Sequence, residues 1–375
     1  MLIRFRQKKW ITALAGIGAA AATAVGAVCF ALRLVPVLAA GGDTTAMIAA
    51  GFILPGGAAH ALVGEPKQDG FPLPSSPLEN ASSDSSIETP SILDSSLSSA
   101  SSSASSSAPK QWTGKAYPIQ ELEMANTGVT YGNIVVKNSS KVHKVDIPAV
   151  LAQRPDVHIK KDGTPQVLIY HTHTTESYME EESDTYFSDM PTRTQDNNLN
   201  VVRVGEEIAK RLREAGIGVV HDTTVHDYPS YSGSYDRSIE TMRKNLEQYP
   251  TIQVTLDIHR DALGGDTRLK PTTTVNGKKA AQIMIISGCD DDGSLGFPDW
   301  EYNLRLAMRL QQAGAEYDGQ LMRPLNFTPS KYNEHMTHGS LLVEFGTEVS
   351  TIDEAVYSGQ LFGDALVKVL NELVD

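Results

Sequence analysis

The run Val167-Leu168-Ile169-Tyr170-His171-Thr172-His173-Thr174-Thr175-Glu176 constrains the fold more than any other stretch of this chain. Four apolar residues in succession read as a strand buried on both faces, which places helices on both sides of its sheet. The strand leads into two imidazoles and a carboxylate, and ligands of open α/β sheets collect outside the carboxyl ends of the strands. A second buried run, Val254-Thr255-Leu256-Asp257-Ile258, ends on His259, and a third, Leu341-Leu342-Val343, runs into Glu344. Imidazoles and carboxylates converging on one sheet edge suggest a zinc hydrolase.

The flanking pattern alternates strand and helix. Gly132 to Val136 reads as a first strand or hairpin arm and Ile147 to Leu151 as a short helix. Val201, Val204, Ile208 and Leu212 recur at helical spacing with Gly216 as a terminator, and Ile217 to Val220 reads as a strand. A second helical stripe runs from Tyr235 to Tyr249. Ala281 to Ile286 reads as a strand, Trp300 to Ala313 as a helix, and Ser350 begins a last helix with Asp353 in its first turn. The expected fold is α/β, with a mostly parallel central sheet and helices on both faces.

Four regions are expected. Residues 1–33 hold a basic stub and the uncharged span Trp10 to Leu32. That span makes a helix of about 34 Å, enough to cross a hydrocarbon core. Arg4, Arg6, Lys8 and Lys9 before it predict a cytoplasmic N-terminus and an extracytoplasmic remainder. A cleaved signal peptide, cut near Val37-Leu38-Ala39, is the competing reading. Residues 34–65 form an apolar spacer, in which Pro55, Gly56 and Gly57 interrupt any second crossing. Residues 66–116 collapse to serine and proline and read as a disordered tether. Residues 117–375 form the folded domain. The net charge of −13, with an N-terminal region that is wholly basic, leaves an acidic exterior that argues against nucleic acid as a partner. Only Cys29 and Cys289 occur, so any metal is held by imidazole and carboxylate.

His171 and His173 share a face if the strand persists through both. The metallo-β-lactamase pattern H-x-H-x-D-H is not met, because Thr174-Thr175-Glu176 follows. His259-Arg260-Asp261 lacks the phosphate loop and partners of a kinase. Arg260 reads as a substrate carboxylate clamp or an ion-pair partner, and Asp261 as an orienting partner for a histidine or a turn cap. Glu344 inside an apolar strand must be paired, protonated or beside a cation. A general base is the functional reading, and an ion pair with Arg193 or Arg260 is the structural one.

Ile169-Tyr170-His171-Thr172-His173-Thr174-Thr175-Glu176-Ser177-Tyr178, Asp257-Ile258-His259-Arg260-Asp261-Ala262 and Leu342-Val343-Glu344-Phe345-Gly346-Thr347 together resemble the stage II sporulation protein P family. These membrane-anchored cell-wall hydrolases are related to the zinc N-acetylmuramoyl-L-alanine amidases. The resemblance covers roughly Tyr117 to Asp375 and implies an amidase-like fold. It implies cleavage of the amide joining muramic acid to L-alanine, endopeptidase activity on stem cross-links, and septal remodelling during engulfment beside a lytic transglycosylase partner. It further implies a Zn2+ site with His173 and His259 as ligands and Glu344 as the catalytic glutamate, leaving His171 as a neighbour. The family's middle ligand is a glutamate before the first long helix. Asp196 falls nearest to that place here and is the preferred third ligand, with Glu176 as the competing carboxylate.

Two other functions compete with this one. A non-catalytic module gripping peptidoglycan or a septal partner leaves Glu344 unexplained. A zinc hydrolase of another cell-wall bond, such as a carbohydrate deacetylase, differs in its products.

Overall fold

In the computed structural model, which describes residues 111–124, 127–317 and 320–375, twelve strands form two sheets. The expected anchor, the apolar spacer and most of the serine-rich tether lie outside the described residues. Among the described residues no helix is long and apolar enough to cross a membrane.

The strands are β1 (Ala116–Leu122), β2 (Val129–Tyr131), β3 (Ile134–Asn138), β4 (Pro165–Tyr170), β5 (Thr185–Phe187), β6 (Gly218–His221), β7 (Val254–Asp261), β8 (Arg268–Val275), β9 (Lys278–Ala281), β10 (Ile283–Gly288), β11 (Leu325–Thr328) and β12 (Gly339–Thr347). The main sheet has eight strands in the order β2-β3-β11-β10-β12-β7-β4-β6. Strands β12, β7, β4 and β6 run parallel, as do β10, β11 and β3. The two blocks meet antiparallel where β10 pairs β12, and β2–β3 is an antiparallel hairpin. The α/β expectation therefore holds with a mixed sheet.

The second sheet, β5-β1-β8-β9, has no counterpart in the sequence reading. Its strands lack an apolar run: β1 carries Pro118 and Glu121, and β8 carries Arg268, Lys270 and Pro271. Their contacts begin ahead of the expected boundary at Tyr117, with the Thr113 amide donating to Asp189 Oδ2 at 2.8 Å.

The helices are α1 (Ile147–Leu151), α2 (Val201–Glu214), α3 (Ser234–Gln248), α4 (Trp300–Gly314) and α5 (Ile352–Asn371). Helix α2 starts because Asn200 accepts from the Val202 amide, and it stops before Gly216, which sits at φ +74°. Helix α5 starts on a reciprocal Thr351–Glu354 capping box.

Side-chain alternation divides the main sheet between two layers. Val167, Ile169, Val254, Leu256, Ile258, Leu341 and Val343 join the core under α2, α4 and α5. Each buried aliphatic of this kind contributes about 1.5–3 kcal/mol. On the opposite face, Leu168 and Tyr170 pack with Met242 of α3. The same alternation puts Asp257, His259 and Glu344 on the α3 face. Strand β7 continues to Asp261, so His259 lies within the strand and not at its end. Beyond the pair Glu344–His259 the next matched pair is Thr347–Asp261, a bulge of one residue in β12 that contains Gly346 at φ +61°.

Candidate active site

After β4 the chain turns through Thr172–Thr175, and the Glu176 amide donates to the His173 carbonyl at 3.1 Å. That turn brings the side chains of His173 and Glu176 to one side. His171 is buried beneath α2, its Nε2 2.9 Å from His221 Nε2 and its Nδ1 3.1 Å from the Ile258 carbonyl oxygen. A Cβ on Gly205 of α2 would sit 2.8 Å from the His171 ring, so the helix closes directly over it. His171 thus faces α2 and His221, whereas His173 meets Tyr231 and His259.

The rings of His173 and His259 lie edge to face, with centroids 5.2 Å apart at 86°. His173 also stacks on Tyr231 at 4.5 Å and 11°, with its Nε2 3.1 Å from the Tyr231 hydroxyl. Its Nδ1 is buried without a partner. His259 Nδ1 is 3.6 Å from Glu176 Oε2, and its Nε2 is 2.9 Å from Asp257 Oδ1, a charge contact slightly out of line for a hydrogen bond. Asp257 is fixed by Thr172, whose amide donates to Oδ1 at 2.8 Å and whose hydroxyl donates to Oδ2 at 2.6 Å. Tyr235, from the first turn of α3, contacts both histidine rings.

Glu344 is fully buried at 0 % exposure, and neither carboxylate oxygen has a hydrogen-bond partner. It is the cross-strand neighbour of His259 on one side and Met284 on the other. Burial first, and then the Asp261 charge, push its pKa well above the usual carboxylate range. Burial, followed by the charges of His259, Arg193 and Arg260, holds His173 well below the usual imidazole value. Burial also works against charge on His259, but Asp257, Glu176 and Glu344 outweigh it and lift its pKa to about 9. The surroundings of His259 therefore favour positive charge.

The remaining sequence-derived residues divide clearly. Glu176 is in the cluster, accepting the Arg260 amide at 3.1 Å, with Arg193 Nη2 3.6 Å away. Asp196 is not: it is exposed, and its Oδ1 accepts from the Asn198 amide and side chain, both at 2.9 Å. Arg260 is neither a clamp for substrate nor a partner of Glu344, because its buried guanidinium donates to the carbonyls of Ser177, Thr192 and Asp261. Arg193 is engaged by Asp227 at 2.5 Å and by Glu176. Asp261 pairs with Arg323 at 2.9 Å and caps the Ala262 amide, so it orients no histidine.

Sequence reasoning missed Asp257 and Tyr231. Asp257 stands two residues before His259, so strand alternation alone puts it on the same face. Tyr231 lies in a Ser/Gly/Tyr segment with no comparable signal.

The donor set suits zinc: two imidazoles, one nearby carboxylate, and polar atoms of His173 and Glu344 buried without partners. Two imidazoles on one tetrahedral ion place their centroids about 5 Å apart, near the spacing found here. Among the described residues, the trio of acidic or imidazole groups with ligand atoms mutually within 4.8 Å is instead Glu121, Glu182 and Glu354. His173, Glu176 and His259 are not gathered that tightly. The glutamate trio already surrounds ammonium groups, with Lys270 at 3.3, 2.8 and 3.0 Å from its three members and Lys279 at 2.7 Å from Glu121 and Glu182. Two ammonium groups thus already occupy the space among its three carboxylates.

Among solved structures, the chain is similar to the N-acetylmuramoyl-L-alanine amidase AmiC2 of Nostoc punctiforme, at 12% identity and a TM-score of 0.34 over 57% of this chain and 97% of that one. It is also similar to an N-acetylmuramoyl-L-alanine amidase from Clostridium difficile 630, at 15% identity and a TM-score of 0.33 over 56% and 97%. In sequence, the chain is 27% identical over 280 residues to stage II sporulation protein P of Bacillus subtilis (strain 168), covering 66% of each chain. It therefore spans just under two thirds of that relative's length. The family model of stage II sporulation protein P matches residues 80–367. With most of the chain inside that match, this protein belongs to the stage II sporulation protein P family.

Proposed function

We propose that this chain is a membrane-anchored peptidoglycan hydrolase of sporulation that cleaves the amide between muramic acid and L-alanine, with endopeptidase activity on stem cross-links. The N-terminal span would hold the folded domain outside the cytoplasm, at the septum, beside a lytic transglycosylase. Family membership supports the sporulation and cell-wall context. The observation that carries the catalytic reading is Glu344, fully buried, without a partner on either oxygen, and in register with His259.

His173, His259 and Glu176 would hold the ion, with Glu176 in the place for which the sequence favoured Asp196. Zinc bound there would supply Lewis acidity toward the scissile carbonyl and a water of lowered pKa. Glu344, hydrogen-bonded to no other group, takes the proton of the attacking water and returns it to the leaving amine nitrogen.

The test is digestion of purified sacculi with products read by mass spectrometry, with and without chelator. Free stem peptides indicate amidase activity, shortened cross-links endopeptidase activity, and acetate a deacetylase. Glu344→Gln is expected to lower product release by about 10²–10⁴-fold. Wild-type release by that variant would remove Glu344 from the mechanism. Sacculus binding without any product would make the chain a wall-binding module instead.

A further inference from the structure

We infer that Tyr231 and Asp257 are positioning residues that choose which nitrogen of each histidine faces the ion, by engaging the remote Nε2 of His173 and of His259. The inference rests on the metal site proposed above. A neutral imidazole has one N–H and one lone pair, so fixing a partner for one nitrogen decides the role of the other. Ligating histidines usually donate their second N–H to an outer partner, which sets tautomer and ring orientation.

At His173 the geometry is specific. Nε2 lies 3.1 Å from the Tyr231 hydroxyl, while Nδ1 is buried with no partner at all. Ligation through Nε2 would displace the tyrosine and leave Nδ1 stranded. Ligation through Nδ1 satisfies both nitrogens. At His259 the contact is one of charge rather than an aligned hydrogen bond: Nε2 is beside Asp257 Oδ1 at 2.9 Å, and Nδ1 faces Glu176 Oε2 at 3.6 Å.

Tyr231 is not free to drift from this contact. Its ring stacks on His173, and the Arg193 guanidinium lies 4.7 Å from its centroid. Arg193 is anchored to Asp227, which also accepts from the Thr175 hydroxyl at 2.7 Å, and it approaches Glu176 at 3.6 Å. One network therefore positions the carboxylate ligand and the partner of the first histidine together. Asp257 is held as firmly, through both of its contacts with Thr172.

The experiment uses the detergent-solubilised full chain, labelled with 15N-histidine and loaded with zinc alone. Long-range 1H–15N spectra are expected to show two of its ten histidines metal-bound at Nδ1 and protonated at Nε2. Zinc affinity, measured by competition with a chromophoric chelator, should fall about 10–100-fold in Tyr231→Phe and in Asp257→Asn. In Tyr231→Phe the His173 signal should also split between tautomers, a change that a purely structural role would not produce. Failure of the wild type to take up zinc would sink the metal site itself. Zinc carried on Nε2, or undiminished affinity in Tyr231→Phe, would overturn this inference and leave the metal site standing. The wild-type spectrum needs no variant, so poor folding of either one does not shelter the idea.

Discussion

Asp196 and Glu176 are both acidic and both near the first histidine in sequence, yet only Glu176 is buried beside His259. Asp196 spends its carboxylate on a local turn with Asn198. Glu176→Ala is therefore expected to lose most bound zinc, and Asp196→Ala to retain the wild-type content, as read by elemental analysis of purified protein. Zinc loss in Asp196→Ala alone would reverse the assignment. At this scale the sequence was informative wherever a polar group interrupted an apolar run. His259 and Glu344 stood out for that reason, because a buried strand tolerates few such residues, whereas His173 stands in the turn after β4. Arg260 misled because its sequence context does not reveal that three backbone carbonyls consume its donors. Tyr231 was illegible because it meets His173 across 58 positions of chain, through a loop without periodicity.

Helix α2 shows how an element can be right in outline and constrained in detail. Its apolar spacing and its end at Gly216 were readable, whereas the reason for Gly205 was not. A methyl group there would lie 2.8 Å from both His171 and His221. Gly205→Ala should therefore destabilise the protein by roughly 1–3 kcal/mol through overpacking, despite the better helix propensity of alanine. A lower midpoint in urea would show it, and a raised midpoint would mean that the rings can yield. The main strands were legible from their apolar runs, and α5 from its acidic first turn. The second sheet was not, because its strands are held largely by polar and charged side chains that look like surface in a linear reading.

At the scale of the molecule, Lys270 fastens that second sheet. It is 1 % exposed on β8 and reaches Glu354 at the start of α5, as well as Glu121 and Glu182. Lys270→Ala would leave Glu354 buried without its cation and is expected to cost about 3–5 kcal/mol, measured by urea denaturation. A loss below about 1 kcal/mol would reduce the cluster to surface decoration. Glu182 gives the cluster a pH signature. Burial raises its pKa, but hydrogen bonds from Lys270 and Lys279 outweigh this and bring it down to about 2. A depressed carboxylate contributes stability above its unfolded value of about 4.5 and loses it as pH falls toward 2. Thermal melts between pH 6 and 2 should show that loss, and Glu182→Gln should flatten part of it. The two sheets also touch at the bulge that follows Glu344. Thr347 donates its hydroxyl to the Leu269 carbonyl at 2.9 Å, and a Cβ on Gly346 would strike Ser350 and come within 2.8 Å of Ala281. The strand that carries the buried acid is thereby pinned at a seam, two positions beyond Glu344, by a residue that contributes no side chain. Even a methyl at position 346 would act as a wedge, prying β12 away from Ser350 and Ala281.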